Sequence, residues 1–289
     1  MGEKSKADLF LGMLREDALD DGAKGSPQGG TGSFMARKMR AAVDAGEKKM
    51  AIRSLMNIRM PREASKEMLE AQDAYLQEEL EAKGVVSWKE IPTVDEQYGS
   101  RRPFADRISI WQGDITRLRI GAIVNAANSQ LLGCFVPCHR CIDNAIHSAA
   151  GMQLREECHR IMEQRRARYG KRYEEPTGTA TLTKGYNLPC DYVVHTVGPI
   201  VYGRLTDSLC EDLRNCYQNV LECCMAGNIR SVAFCCISTG EFHFPNDEAA
   251  RIAVDTVARF FKENPDAMDR VVFNVFKDED RILYEKRLV

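Results

Sequence analysis

Between Gly133 and Asp143 the chain sets Cys134, Cys138, His139 and Cys141 within eight residues, directly after the run Val124-Asn125-Ala126-Ala127-Asn128-Ser129. A Cys-x4-His-x-Cys arrangement offers two thiolates and one imidazole, the donors that borderline-soft zinc takes. Three protein ligands leave the fourth tetrahedral position open to water or substrate, as catalytic zinc requires. The competing reading is a set of reduced core cysteines, since free Cys is among the most buried residue types. One short Pro-containing loop has no packing need for three cysteines and a histidine together.

Other polar clusters recur along the chain: Gln112-Gly113-Asp114-Ile115-Thr116, His195-Thr196-Val197-Gly198-Pro199 and Ile237-Ser238-Thr239-Gly240-Glu241-Phe242. The last is a small-residue turn whose backbone N–H groups can cradle a phosphate. Taken singly these are ordinary turns, and Asp114 after Gly113 is an ordinary turn residue. Taken together with Asn125 and Asn128 they supply a carboxylate for an amino group, amides for ribose hydroxyls and a nest for a diphosphate. A nucleotide-sugar cleft explains the set most simply.

These residues need a scaffold that brings them to one edge. From Arg107 onward, short apolar runs alternate with amphipathic segments. Runs 108–111, 122–124, 180–183, 192–197, 232–236 and 271–276 read as buried strands, rich in Val, Ile and aromatics. Segments 142–164, 207–226, 247–262 and 278–287 read as helices. Such alternation predicts an α/β layer fold with a mixed sheet, in which ligands sit where strands end and helices begin. Upstream, Asp21 to Ser33 is dominated by Gly, Ser and Pro, so residues 1–33 are expected to form a flexible tail. Residues 34–98 read as a helical extension: Met35 to Asn57, then a second helix carrying Leu69, Leu76 and Leu80 before Gly84, with Pro61 between them. Two short helices cannot bury their own apolar faces, so they are expected to dock on the domain at 99–289.

Composition narrows the function classes. The net charge of the 289-residue chain is −2, and no run of 18 apolar residues occurs, so neither nucleic acid nor a membrane is an expected partner. Eleven cysteines, an odd number all beyond residue 133, fit a reducing compartment better than a disulfide scaffold. The N-terminus shows no apolar signal core and no transit-peptide composition, and Lys6 breaks the myristoylation pattern, so a cytoplasmic monomer is the expectation. His147 and His195 read as hydrogen-bonded structural histidines; His159 and His243 have no assignment. Cys223-Cys224 and Cys235-Cys236 read as core. The charge-rich helical run Arg155 to Arg172 reads as a solvated face.

GDIT, VNAANS, IDNAIHSAAG, HTVGP and CISTGEFHFP, in that order across 107–289, together resemble the macrodomain family. Where ordinary hydrolytic macrodomains carry a glycine-rich loop, this chain has the longer CFVPCHRC segment, which resembles the zinc-dependent branch of the family, as does a helical N-terminal extension. The resemblance implies a three-layer α/β/α macrodomain binding ADP-ribose. It implies one zinc per chain held by Cys134, His139 and Cys141, with Cys138 at a variable position. Asp114 matches the acid that faces the adenine amino group, followed by Ile115. Asn128 matches the amide at the distal ribose, with Asn125 supporting that loop. Asp143 matches the acid used beside the distal ribose, and is equally well placed to cap a helix. Ser238, Thr239, Gly240, Glu241 and Phe242 match the diphosphate loop. Asn274 and Phe276 match the last strand, whose aromatic lies near adenine, although Phe276 also suits a core.

The implied activity is hydrolysis of mono-ADP-ribose from a protein side chain, with Asn128 and Asp143 as catalytic candidates. The implied partners are ADP-ribosylated proteins, among them a lipoyl carrier modified by a sirtuin-type transferase. A reader module with a structural zinc and an O-acetyl-ADP-ribose deacetylase are the alternatives.

Overall fold

The structure, a computed structural model, describes residues 5–23 and 44–289. In chain order its helices are α1 (Lys6–Ala23), α2 (Ala45–Ile58), α3 (Lys66–Lys83), α4 (Val94–Tyr98), α5 (Ile142–Ala150), α6 (Met152–Tyr169), α7 (Asp207–Ala226), α8 (Asn246–Glu263) and α9 (Asp278–Leu288). The strands are β1 (Val86–Ser87), β2 (Ile108–Gln112), β3 (Leu118–Arg119), β4 (Ala122–Ala127), β5 (Ala180–Lys184), β6 (Tyr192–Val197), β7 (Ser231–Phe234) and β8 (Arg270–Val275). Six of them form one sheet in the order β2-β8-β7-β4-β6-β5, and β1 pairs with β3 apart from it. All neighbours in the large sheet run parallel except β5, which is antiparallel to β6. Parallel strands covered on both faces must be apolar throughout. Accordingly Ile123, Val124, Val193, Val194, Val232, Ala233, Val271 and Val272 are fully buried.

Helices α7, α8 and α9 pack in a row on the sheet, while α5 and α6 pair with each other beside β4 and β5, which completes the three layers. The expected helix 142–164 is instead two. Gly151 sits between them at φ 99°, a left-handed conformation that breaks the helix. Arg155, read as solvated, is 6% exposed; the more distal residues Arg168, Lys171 and Arg172 are exposed as expected.

The expectation of a flexible tail over 1–33 fails for its first part. α1 forms there and buries Phe10, Leu11 and Leu14 against Ile52, Leu55, Met68 and Tyr75. The spacing Ala7, Phe10, Leu11, Leu14, Ala18 carries that helix face. Residues 24–33 of the expected tail, and 35–43 of the expected first extension helix, lie outside the described residues. α2 begins at Ala45, capped by Asp44, whose carboxylate accepts from Glu47 N. Together α1, α2 and α3 make a second small core that takes Met152 of α6 as its link to the main one.

Polar contacts hold that seam. Gln72 accepts from Met152 N at 2.7 Å, and the Arg155 guanidinium donates to the carbonyls of Met56, Asn57 and Arg59, at the C-terminal end of α2, at 2.7–2.9 Å. Helix C-termini carry unpaired carbonyls and partial negative charge, so a buried cation is well matched there.

Candidate active site and metal centre

Asn125 is polar, fully buried and in the middle of central strand β4, a position that costs stability unless its amide is used. Its Nδ2 donates to Asp143 Oδ1 at 2.8 Å and faces His195 Nδ1 at 3.1 Å. Asp143 accepts, so the amide end is the donor; His195 Nδ1 must then be the acceptor and Nε2 carries the proton. Nε2 donates to Thr183 Oγ1 at 2.9 Å, which in turn donates to Val193 O at 3.3 Å. Burial keeps His195 neutral, its pKa down to about 3. His147, Cys158 and His195 also bring potential ligand atoms within 4.8 Å of one another. His195, however, has its lone pair occupied and its N–H given away, so this trio is a polar core. His147 departs from the expectation of a hydrogen-bonded histidine. Among the described residues neither ring nitrogen has a hydrogen-bond partner, and Nε2 lies 3.5 Å from Asp143 Oδ1.

Asp143 lies in the first turn of α5 and is 5% exposed. Its Oδ2 accepts from Asn128 Nδ2 at 3.2 Å, and that amide also reaches Gly133 O at 3.1 Å. Burial pushes the Asp143 carboxyl up to about 6, against the pull of Asn125, Arg155 and Asn128. Asp143 does not cap α5. Cys141 does, its Sγ accepting from Asn144 N at 3.4 Å.

The loop before α5 gathers Cys134, His139 and Cys141, with ligand atoms all within 4.8 Å of one another. Cys134 Sγ and His139 Nδ1 are 3.7 Å apart. A tetrahedral zinc with ordinary bond lengths sets such an S···N edge at about 3.6 Å. The other ring nitrogen of His139 lies 3.7 Å from Glu241 Oε1, the carboxylate backing often given to a metal-binding imidazole. Burial pushes the Cys141 thiol up to about 12, so it stays protonated unless a cation takes the proton's place. Cys138 faces elsewhere: its Sγ is 3.2 Å from Ser54 Oγ and 3.5 Å from Met50 O, both on α2. The donor set and spacing fit zinc.

After β7 the chain turns through Ser238 at φ 65°. A Cβ on Gly198 would collide with Ser238 Oγ, so the β6 loop and this turn approach as closely as they do only because residue 198 is glycine. Val201 N donates to Phe242 O at 2.9 Å, and Thr239 Oγ1 donates to Cys236 O at 3.1 Å. Gly240 and Glu241 are exposed and Phe242 half-buried. Among the described residues, Ser238 Oγ and Asn125 Oδ1 are buried without hydrogen-bond partners.

At the far end of the sheet, Asp114 Oδ1 accepts from Thr116 N and Oγ1, capping the short turn Ile115–Arg117, while Oδ2 lies 3.6 Å from Lys83 Nζ of α3. Ile115 is core. Asn274 donates to Trp111 O and Gly113 O, and so ties β8 to the Asp114 turn. Phe276 is 76% exposed, which rules out a core role.

Sequence reading missed Arg53, Asn144 and Arg155. Asn144 had a visible signal, a second polar residue on the buried face of α5, whereas Arg53 had none.

Residues 124–253 match the Macro domain family. Over 243 residues the chain is 48% identical to the protein-ADP-ribose hydrolase of Treponema medium, covering 84% of this chain and 88% of that protein. The chain belongs to the macrodomain family. The macrodomain is also 44% identical over 235 residues to the protein-ADP-ribose hydrolase of Staphylococcus aureus (strain MRSA252), covering 81% and 82% of the two chains. Its fold matches the crystal structure of the Trypanosoma brucei macrodomain in complex with ADP-ribose at a TM-score of 0.59 and 29% identity, over 91% of this chain and 96% of that one. With such relatives, this macrodomain is a hydrolase. Among its described residues no helix is long and apolar enough to cross a membrane.

Proposed function

We propose that this macrodomain hydrolyses the bond between the distal-ribose C1 of mono-ADP-ribose and a protein side chain, in a cleft that contains one zinc ion held by Cys134, His139 and Cys141. The observation that carries the reading is the convergence at the start of α5. Asp143 is clasped by Asn125 and Asn128 two residues after Cys141, the N-cap of α5, so the loop that carries Asn128 and the soft-ligand trio leads directly into the helix turn that carries the acid.

Asn128 orients the distal ribose. Asp143, buried and with a raised pKa, holds the attacking water and takes its proton as the C1 bond breaks. When bound, zinc supplies Lewis acidity at this point of the cleft. Ser238 to Phe242 receive the diphosphate, and the unpartnered Ser238 Oγ is a donor left for it. Asp114 accepts from the adenine amino group, Ile115 and Asn274 hold that turn, and exposed Phe276 offers an aromatic face beside it.

Product analysis tests this, with a mono-ADP-ribosylated protein and O-acetyl-ADP-ribose each offered to zinc-loaded and chelated enzyme. A lipoyl carrier modified by a sirtuin-type transferase is the substrate to try first. Release of ADP-ribose from the protein by the zinc form alone is expected. Equal turnover by metal-free enzyme would remove zinc from the reaction. Binding without release, or deacetylation alone, would replace the hydrolase reading with a reader or a deacetylase.

A further inference from the structure

The loop that gathers Cys134, His139 and Cys141 is held from behind by a helix outside the α/β/α unit. Arg53, half-buried on α2, donates through Nε and Nη2 to Asn144 Oδ1 at 3.0 and 2.7 Å, and through Nη2 to His139 O at 3.0 Å. Asn144 is fully buried and turns its own amide to Val136 O at 3.0 Å and Cys134 O at 3.4 Å, while its backbone N–H meets Cys141 Sγ. One Arg–Asn pair thus touches the loop at all three candidate ligands. A helical turn further along α2, Asn57 Oδ1 accepts from Cys138 N at 2.9 Å and Asn57 Nδ2 donates to Ser148 Oγ of α5.

We propose that α2 is a scaffold for the metal loop and that Arg53 is its positioning residue, setting how tightly and in what geometry zinc is held. This rests on the reading that Cys134, His139 and Cys141 hold zinc. The physical reason is preorganisation. Between β4 and α5 the loop makes no ladder of its own, so without outside support the ordering of its backbone would come out of the metal's binding free energy. Arg53 removes that cost by fixing two acceptors at once. The planar guanidinium fork can serve the Asn144 amide and the His139 carbonyl together, which the single ammonium of a lysine cannot do with the same geometry.

The test compares wild type with Arg53→Met, which keeps the aliphatic stem, and Arg53→Lys, which keeps the charge and covers the case in which the methionine variant misfolds. Zinc affinity is read by chelator competition, ligand geometry by the visible absorption of the Co2+-substituted protein, and integrity by circular dichroism and calorimetry with ADP-ribose. Both variants should hold zinc roughly 10- to 100-fold more weakly, the range for altered outer-shell support, and shift the cobalt spectrum. Their ADP-ribose affinity should stay within about twofold of wild type. Unchanged zinc affinity and an unchanged cobalt spectrum in both would overturn the role of Arg53 while leaving the zinc reading intact. A wild-type protein that binds no zinc would overturn both.

Discussion

Asp143 and Asn128 share one hydrogen bond, yet their removal should register differently. Asn128 also anchors Gly133 O, so Asn128→Ala loosens the loop as well as the ribose contact. Asp143→Asn keeps the size of the side chain, removes the base and sets its own amide N–H2 against one of the two asparagine amides that donate to Asp143. It should cost roughly 10²- to 10⁴-fold in turnover with ADP-ribose binding retained, as measured by single-turnover product release and calorimetry. If the variant turns over at the wild-type rate, another group handles the water. Asp114→Ala removes a charged acceptor and should weaken ADP-ribose binding by about 1.5–3 kcal/mol by calorimetry. Unaltered affinity would take Asp114 out of the adenine site. For the metal, elemental analysis should find one zinc per chain in wild type and in Cys138→Ala, and none in Cys134→Ser, His139→Ala or Cys141→Ser. Metal loss in Cys138→Ala with retention in Cys141→Ser would mean the ligand set is wrong.

At the scale of elements, the seam between α2 and α6 depends on Arg155. Its guanidinium donates to Leu132 O on one side and to three carbonyls at the end of α2 on the other, and it stacks on Phe135. Burial lowers its pKa to about 10, still far above neutrality, so it remains a cation. Arg155→Met fills similar space and strands those carbonyls. It should lower stability by at least about 2–3 kcal/mol, since each buried acceptor left unpaired costs about 1–3 kcal/mol. Urea unfolding measures this, and a midpoint equal to wild type would show that α2 docks by apolar contact alone. Such a result would also weaken the case for α2 as a scaffold.

For the whole molecule, two cores rather than a metal supply the stability, so chelation should leave the far-UV circular dichroism native, unlike a zinc finger. Loss of the spectrum with the metal would instead make the site structural. Acid should act through the buried histidines. His195 is held down to about 3 by burial, and His147 well below its ordinary value by burial, Arg155 and His195. Above pH ~6.5 both are neutral folded and unfolded; below it the unfolded chain takes protons that the native state refuses, and stability falls by about 1.4 kcal/mol per pH unit for each. Asp143, held up to about 6, gains its proton in the native state first and opposes one of them as pH drops below that value. His195→Gln retains an acceptor for Asn125 and a donor for Thr183 without titrating. Its stability should therefore fall less steeply between pH 6 and 4, by about 1.4 kcal/mol per pH unit. Equal slopes in the two proteins would show that His195 is not the group refusing protons. The strands, the mixed sheet and the strand-end clusters were legible in the sequence because burial of a parallel sheet demands continuous apolar runs, and polar interruptions such as Asn125 stand out against them. The Cys/His trio was legible as a set of donors. Distance along the chain says nothing of which donors face one point, and only folding turns Cys138 toward Ser54 and Cys141 onto the α5 cap. Helix α1 was hidden by the Gly-rich stretch that follows it, and Gly151 looked like a tolerable residue within one helix. Arg155 read as a solvent-facing charge and Arg53 carried no signal because their partners are backbone carbonyls and an amide some 90 residues away in the chain, contacts that exist only once α2 packs on α5 and α6.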